Sequence, residues 1–169
     1  MSVKKITVVI FNDKSILMGM LTKWVTGLAD YHVGFTDGEN FWDQGLLFRK
    51  RPWLPRPEEN VTYFECPVKL TAKELDNVVF SGLEKFCIEK KISNLYGIRD
   101  YINFGLRKFG IGFRVNFGGS TCGGIVRDIL ASKGWTELGT ITDLEPAPAD
   151  IRKKFLELGI KVVKQGKVD

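Results

Sequence analysis

The stretch from residue 32 to residue 44 constrains the fold more than any other part of the chain. Two short apolar runs, His32–Thr36 and Asn40–Gln44, are separated by the dipeptide Asp37-Gly38. Asp-Gly between apolar runs is typical of a two-residue hairpin, because both central residues of a type I′ turn need a positive φ. The sequence therefore predicts an antiparallel strand pair here.

The rest of the chain alternates between strand and helix patterns. Segments rich in β-branched and apolar residues predict three more strands, at residues 5–11, 61–68 and 160–163. Apolar residues at helical spacing predict helices over residues 15–28, 95–109, 121–132 and 150–158. Thr71 and Glu74 form a capping box that begins a further helix, which reaches about residue 91. The sum is an α+β domain, a small antiparallel sheet or half-barrel packed against helices.

Length and composition predict a single domain over residues 1–169, with hydrophobic residues at 44% to fill its core. No apolar run approaches the roughly 18 residues that span a bilayer. The first residues lack the apolar region of a signal peptide, so we expect a cytoplasmic protein. Three cysteines and one histidine predict neither a disulfide framework nor a zinc site, and we expect no cofactor.

Cys122 stands where a reactive thiol is expected, at the start of a predicted helix. Ser120 and Thr121 can cap that helix, and the unpaired N–H groups and dipole of its first turn favour a thiolate. Gly123 and Gly124 each cost about 1 kcal/mol relative to alanine in a helix. That cost is easier to explain beside a substrate or a close-packed strand than in an ordinary helix. The alternative is an ordinary buried cysteine on an apolar stripe.

His32 is the single histidine of the chain, so it is the one imidazole that can serve a thiol as a base. If the turn consists of two residues, counting back places His32 opposite Asp43, on the same face of the sheet. A carboxylate there would fix the tautomer of the imidazole and stabilise its charged form. A register shift of one residue would bring in Gln44 or Trp42 instead. The alternative is a structural or surface histidine and a solvated carboxylate at a strand end.

Three segments resemble motifs of the circularly permuted NlpC/P60 hydrolases, a papain-like family. Residues 21–35, Leu-Thr-Lys-Trp-Val-Thr-Gly-Leu-Ala-Asp-Tyr-His-Val-Gly-Phe, are similar to the family's histidine segment, in which a helix ending in Thr-Gly precedes a Ser-His-Val-Gly strand. Residues 120–126 (Ser-Thr-Cys-Gly-Gly-Ile-Val) resemble its cysteine helix, and residues 145–151 (Glu-Pro-Ala-Pro-Ala-Asp-Ile) resemble its closing Thr-Pro-x-Asp-Leu element. Histidine before cysteine is the permuted order.

This resemblance implies a permuted papain-like domain whose catalytic cysteine and histidine are Cys122 and His32. The chain departs from the family at other positions. Cys-Gly-Gly stands where Cys-Ser-Glu is frequent, and the strand after the histidine offers Asp43 and Gln44 where the family often has Glu. Tyr96 resembles a tyrosine that precedes the cysteine in some members.

The leading hypothesis is a cysteine hydrolase or acyltransferase, an amidase or peptidase of the papain-like kind. The Cys122 thiolate would attack an amide, isopeptide or ester carbonyl, His32 would shuttle the proton, and Asp43 would orient the imidazole. The resemblance implies cell-wall peptides or lipid acyl groups as substrates, in a phage or bacterial cytoplasmic protein.

The second hypothesis is a catalytically silent papain-like binding module. The net charge of +5 permits an anionic partner. A predicted proline-rich loop over residues 49–59 interleaves Trp53 with four cations, Arg49, Lys50, Arg51 and Arg56. Such a pattern is typical of a surface that holds phosphates and stacks a base. The alternative is a solvated loop with Trp53 folded onto the core.

Overall fold

The computed structural model describes residues 5–12, 30, 32–44, 48–54, 60–89, 121–139 and 146–167, with only the backbone described at 82–89 and 165–167. The strands within these ranges are β1 (Thr7–Phe11), β2 (His32–Thr36), β3 (Asn40–Gln44), β4 (Phe48–Pro52), β5 (Asn60–Glu65) and β6 (Val162–Lys167). The helices are α1 (Ala72–Glu89), α2 (Cys122–Ser132) and α3 (Pro148–Glu157). The predicted helices over residues 15–28 and 95–109 lie outside the described residues.

The six strands form one sheet in the order β4-β3-β2-β1-β5-β6, with every neighbouring pair antiparallel. The predicted α+β class and antiparallel sheet are confirmed. The prediction of a loop from residue 49 is wrong over its first four residues, because they belong to the edge strand β4. Pro52 ends that strand, and an edge strand tolerates a proline because it has no partner on one side.

Alternating side chains of the sheet divide between two hydrophobic clusters. The main core joins one face of the sheet to the three helices, and includes Ile10, Val33, Phe35, Trp42, Phe64, Leu75, Val126, Leu130, Ile151 and Phe155. The second cluster lies on the opposite face and contains Val9, Phe11, Phe41 and Val61, with Trp53 and Tyr63 packed against it. Strand alternation therefore decides which face each polar residue of the sheet joins.

Capping by Thr121 and close packing at Gly123 fix the position of the first turn of α2. The Thr121 hydroxyl accepts a hydrogen bond from the N–H of Gly124 at 3.0 Å, as expected for an N-cap. A Cβ on Gly123 would lie 1.8 Å from the carbonyl oxygen of Pro146, just before α3. Glycine at this position therefore allows a backbone carbonyl to approach the first turn of the helix. Ser120 lies outside the described residues.

We expect Gly123→Ala to lower the free energy of unfolding by about 3 kcal/mol, because the added methyl overlaps a backbone atom that a rotamer change cannot move. Gly134→Ala is the matched control, since its φ of +84° strains an alanine while nothing lies within 4 Å of the new Cβ. That variant should lose about 1 kcal/mol. Urea unfolding of both variants measures the difference, and equal losses would contradict the close approach.

Candidate active site

The β2–β3 hairpin has a wider connection than its Asp-Gly dipeptide predicts. Thr36 pairs with Phe41, and Gly34 rather than His32 pairs with Asp43, so the predicted register is wrong by two residues. The carboxylate of Asp37 explains the wider turn, because it accepts hydrogen bonds from the backbone N–H groups of residues 39 and 40 at 2.9 and 2.7 Å. An aspartate that binds the backbone ahead of it stabilises such a turn.

The shift of two residues keeps His32 and Asp43 on the same face of the sheet, because side chains alternate with a period of two. Nε2 of His32 lies 2.9 Å from Oδ2 of Asp43. The contact crosses the hairpin diagonally and passes beside Gly34, where a Cβ would lie 2.7 Å from the ring of Phe41. Gln44, the alternative partner, is the next residue along β3, and alternation turns it toward the opposite face.

Asp43 is a buried carboxylate, 1% exposed, with three cationic partners. Besides His32, it accepts hydrogen bonds from Nε of Arg49 at 3.0 Å and from a terminal nitrogen of Arg51 at 3.3 Å. Burial raises the pKa of Asp43, but hydrogen bonds from His32 and Arg49 and the charges of His32 and Arg51 hold it well below its ordinary value. Asp43 is therefore ionised at neutral pH, and the solvated strand-end carboxylate is excluded.

His32 is a mostly buried imidazole, with 17% of its side chain exposed. The rings of Phe11 and Phe41 lie 5.7 and 6.1 Å from it. Burial lowers the pKa of His32, but hydrogen bonds with Asp43 and Cys122 and the charges of both outweigh it and raise the pKa to about 9. The ring is therefore protonated at neutral pH.

The Cys122 side chain lies near enough to the His32 ring to raise its pKa, so the structure brings together two residues that are ninety positions apart in the sequence. Cys122 is 3% exposed and belongs to the main core, whereas the imidazole contacts the second cluster. The two meet where β2 begins, opposite the start of α2.

Cys66, the other cysteine whose side chain is described, shows how burial affects the pKa of a thiol that has no imidazole beside it. Burial raises the pKa of Cys66 to about 11, although a hydrogen bond with the backbone of Val68 opposes the shift. Cys66 is thus a protonated thiol at neutral pH. The side chains of Cys87 and Tyr96 lie outside the described residues.

A second ion pair, which the sequence reasoning missed, holds the segment that leads into β2. Nε and one terminal nitrogen of Arg152 lie 2.7 and 2.8 Å from the two carboxylate oxygens of Asp30, and its remaining nitrogen donates to the Thr62 hydroxyl at 2.9 Å. Asp30 stands two residues before His32, so α3 and β5 together fix where the histidine strand begins. No local sequence pattern predicts this ion pair, because its two residues are 122 positions apart.

The cations of β4 divide between the two faces of the sheet. Arg49 and Arg51 contact Asp43, whereas Lys50 points the other way, 3.0 Å from Asp76 and over the ring of Trp42. The Trp53 ring packs against the second cluster, 4.9 Å from the ring of Phe41. These cations therefore do not form one continuous surface, and Arg56 lies outside the described residues. An anionic polymer as partner stays a prediction.

The described residues contain no group of three or more His, Cys, Asp or Glu side chains that could hold a metal ion. Likewise, none of the helices in the described ranges is long and apolar enough to cross a membrane.

Because two comparisons with known proteins find no match, the functional conclusion rests on the geometry of the site. No protein-family model matches the chain, and no curated protein matches it either. The resemblance to the permuted NlpC/P60 hydrolases therefore stays a prediction that rests on three short motifs.

Proposed function

We propose that this protein is a cysteine hydrolase or acyltransferase with a permuted papain-like architecture, acting on an amide, isopeptide or ester bond. The observation that supports the proposal best is the placement of the His32 ring between the Cys122 side chain, which raises its pKa, and the buried Asp43 carboxylate, to which it is hydrogen-bonded at 2.9 Å. A thiol, a base and a group that orients the base are the components of nucleophilic catalysis by cysteine.

In the proposed reaction, the thiol proton resides on the His32 imidazole and leaves a thiolate on Cys122. The sulfur attacks the substrate carbonyl carbon, and a C–S bond forms while the carbonyl π electrons move onto oxygen. Collapse of this intermediate breaks the bond to the leaving amine or alcohol, which takes the proton from His32. Water, or another acceptor, then gives a proton to His32 and attacks the carbonyl carbon of the thioester. The C–S bond breaks, the acid or the acylated acceptor leaves, and the sulfur and the proton on His32 return to their starting state.

The first turn of α2 supplies hydrogen-bond donors for the intermediate. The N–H of Gly124 already donates to the Thr121 hydroxyl, so the proposal assigns the intermediate to the N–H groups of Cys122 and Gly123. Donors at a helix N-terminus stabilise a developing oxyanion, and the helix dipole acts in the same direction.

Acylation by 4-nitrophenyl acetate tests the proposal without knowledge of the natural substrate. We expect a burst of about one equivalent of 4-nitrophenolate per chain, with an acetyl group on Cys122 in the peptide mass spectrum. Cys122→Ser should abolish the burst, whereas Cys66→Ser should keep it, because the Cys66 thiol is protonated and lies outside the site. Equal acetylation of all three cysteines, or no burst, would contradict the proposal and favour the catalytically silent binding module.

A further inference from the structure

The two arginines beside the site have more hydrogen-bond donors than their one carboxylate can use. Each guanidinium has five N–H donors. The contacts with Asp43 engage two nitrogens of Arg49 and one of Arg51. Nε of Arg51 is buried and has no hydrogen-bond partner among the described residues. A buried donor without a partner costs free energy that an added acceptor would recover.

Among the described residues, the site also carries more positive than negative charge. Arg49, Arg51 and the protonated His32 surround a single carboxylate, that of Asp43. Even with a thiolate on Cys122, these five groups sum to a positive charge. The side chains of Arg49 and Arg51 are 55% and 38% exposed, so their remaining donors can reach a ligand from solvent.

Arg51 is held close to the imidazole. Its terminal nitrogen and Nε2 of His32 approach the same oxygen of Asp43, at 3.3 and 2.9 Å. Its guanidinium lies 4.8 Å from the centre of the Phe41 ring, which also contacts the imidazole. A planar guanidinium fixed in this way can present two parallel donors to a carboxylate or phosphate.

We propose that Arg49 and Arg51 bind an anionic group of the substrate, a carboxylate or a phosphate, next to the carbonyl that the thiol attacks. The substrate class is then an acyl compound with a negative charge close to the scissile bond. This inference rests on the proposed function, since it assigns the specificity of the same site.

A pair of alkylating reagents tests the inference directly. Iodoacetate and iodoacetamide both form a C–S bond at the thiolate and expel iodide, but only iodoacetate brings a carboxylate. We compare their rates at Cys122 and divide the ratio by the same ratio for N-acetylcysteine. The normalised preference for iodoacetate should be about tenfold, and it should fall as sodium chloride screens the charges.

Variants of β4 distinguish the contribution of the arginines to this preference from that of the imidazolium, which also attracts anions. Arg51→Gln and Arg49→Gln should each lower the preference about threefold. Lys50→Gln removes the same charge from the same strand but on the other face, so it should leave the preference unchanged. A preference that survives both arginine substitutions would belong to the imidazolium and overturn the inference. The salt titration of the unaltered protein gives a reading that does not depend on how the variants fold.

Three further outcomes complete the test. If Cys122 reacts rapidly with both reagents and shows no preference for iodoacetate, the anion site is wrong while the proposed function stands. If Cys122 reacts slowly with both, the proposed function itself fails. Protection of Cys122 against iodoacetamide by acetate or by inorganic phosphate supports the site, and the stronger protector identifies the anion.

Discussion

Replacing His32 with alanine should slow the alkylation of Cys122 by iodoacetamide about a hundredfold at about pH 6. The thiolate is the nucleophile, and an ordinary thiol with a pKa near 8.5 is only about 0.3% ionised at that pH. In the proposed mechanism, the His32 ring of the unaltered protein, with a pKa of about 9, takes up the proton of the thiol, and alanine removes that acceptor. Quenched time courses, read by peptide mass spectrometry, give the rate at each cysteine.

The pH profile supplies the control. The rates of the two proteins should converge at about pH 10, where an ordinary thiol ionises without the help of a base. Cys66 is the internal reference, because burial raises its pKa to about 11 and it has no histidine partner to lose. Its slow reaction should be the same in both proteins. Superimposable profiles for Cys122, or a rate at Cys122 no higher than at Cys66, would contradict the imidazole–thiol pair.

The sequence predicts on which face of the sheet His32 and Asp43 lie, but not the register of the hairpin that carries them. Counting from a two-residue turn put His32 directly opposite Asp43, whereas Asp43 pairs with Gly34. The error is an even number of residues, so the face assignment is still correct and the imidazole still reaches the carboxylate. Alternation along a strand is fixed by the pleat, but register depends on the turn, and the Asp37 side chain widened that turn.

Long-range partners are the part that sequence reasoning missed. The three prolines of residues 49–59 predict a basic loop, because proline disfavours a central strand. Residues 49–52 instead belong to an edge strand, where alternation places Arg49 and Arg51 against Asp43 and Lys50 against Asp76. Composition alone does not show which of these cations has a carboxylate partner in the folded chain. The meeting of Cys122 with His32 was predicted from chemistry and a family resemblance, not from spacing.

Asp43→Asn should lower the free energy of unfolding by about 3–5 kcal/mol, because it removes the one anion among three buried or half-buried cations. It should also move the pKa of His32 from about 9 toward or below its ordinary 6.5, since burial then acts against a weaker hydrogen-bond partner. The single histidine makes this measurable without assignment, because one imidazole resonance titrates in the proton NMR spectrum. Urea unfolding gives the stability.

The two effects are linked through pH. Because the folded pKa of His32 lies above the unfolded value, its protonation stabilises the fold fully below about pH 6.5, and that contribution is lost as the pH rises to about 9. At about 1.4 kcal/mol for each pKa unit, the loss in the unaltered protein approaches 3 kcal/mol, and Asp43→Asn should flatten it. Asp76→Asn is the matched control. The Asp76 carboxylate pairs with Lys50 of β4, the strand that also carries Arg49 and Arg51, but it is 31% exposed. It should cost about 1 kcal/mol and leave the histidine titration unchanged. A histidine that titrates near 6.5 in the unaltered protein would mean that Asp43 does not hold the imidazole in its charged form.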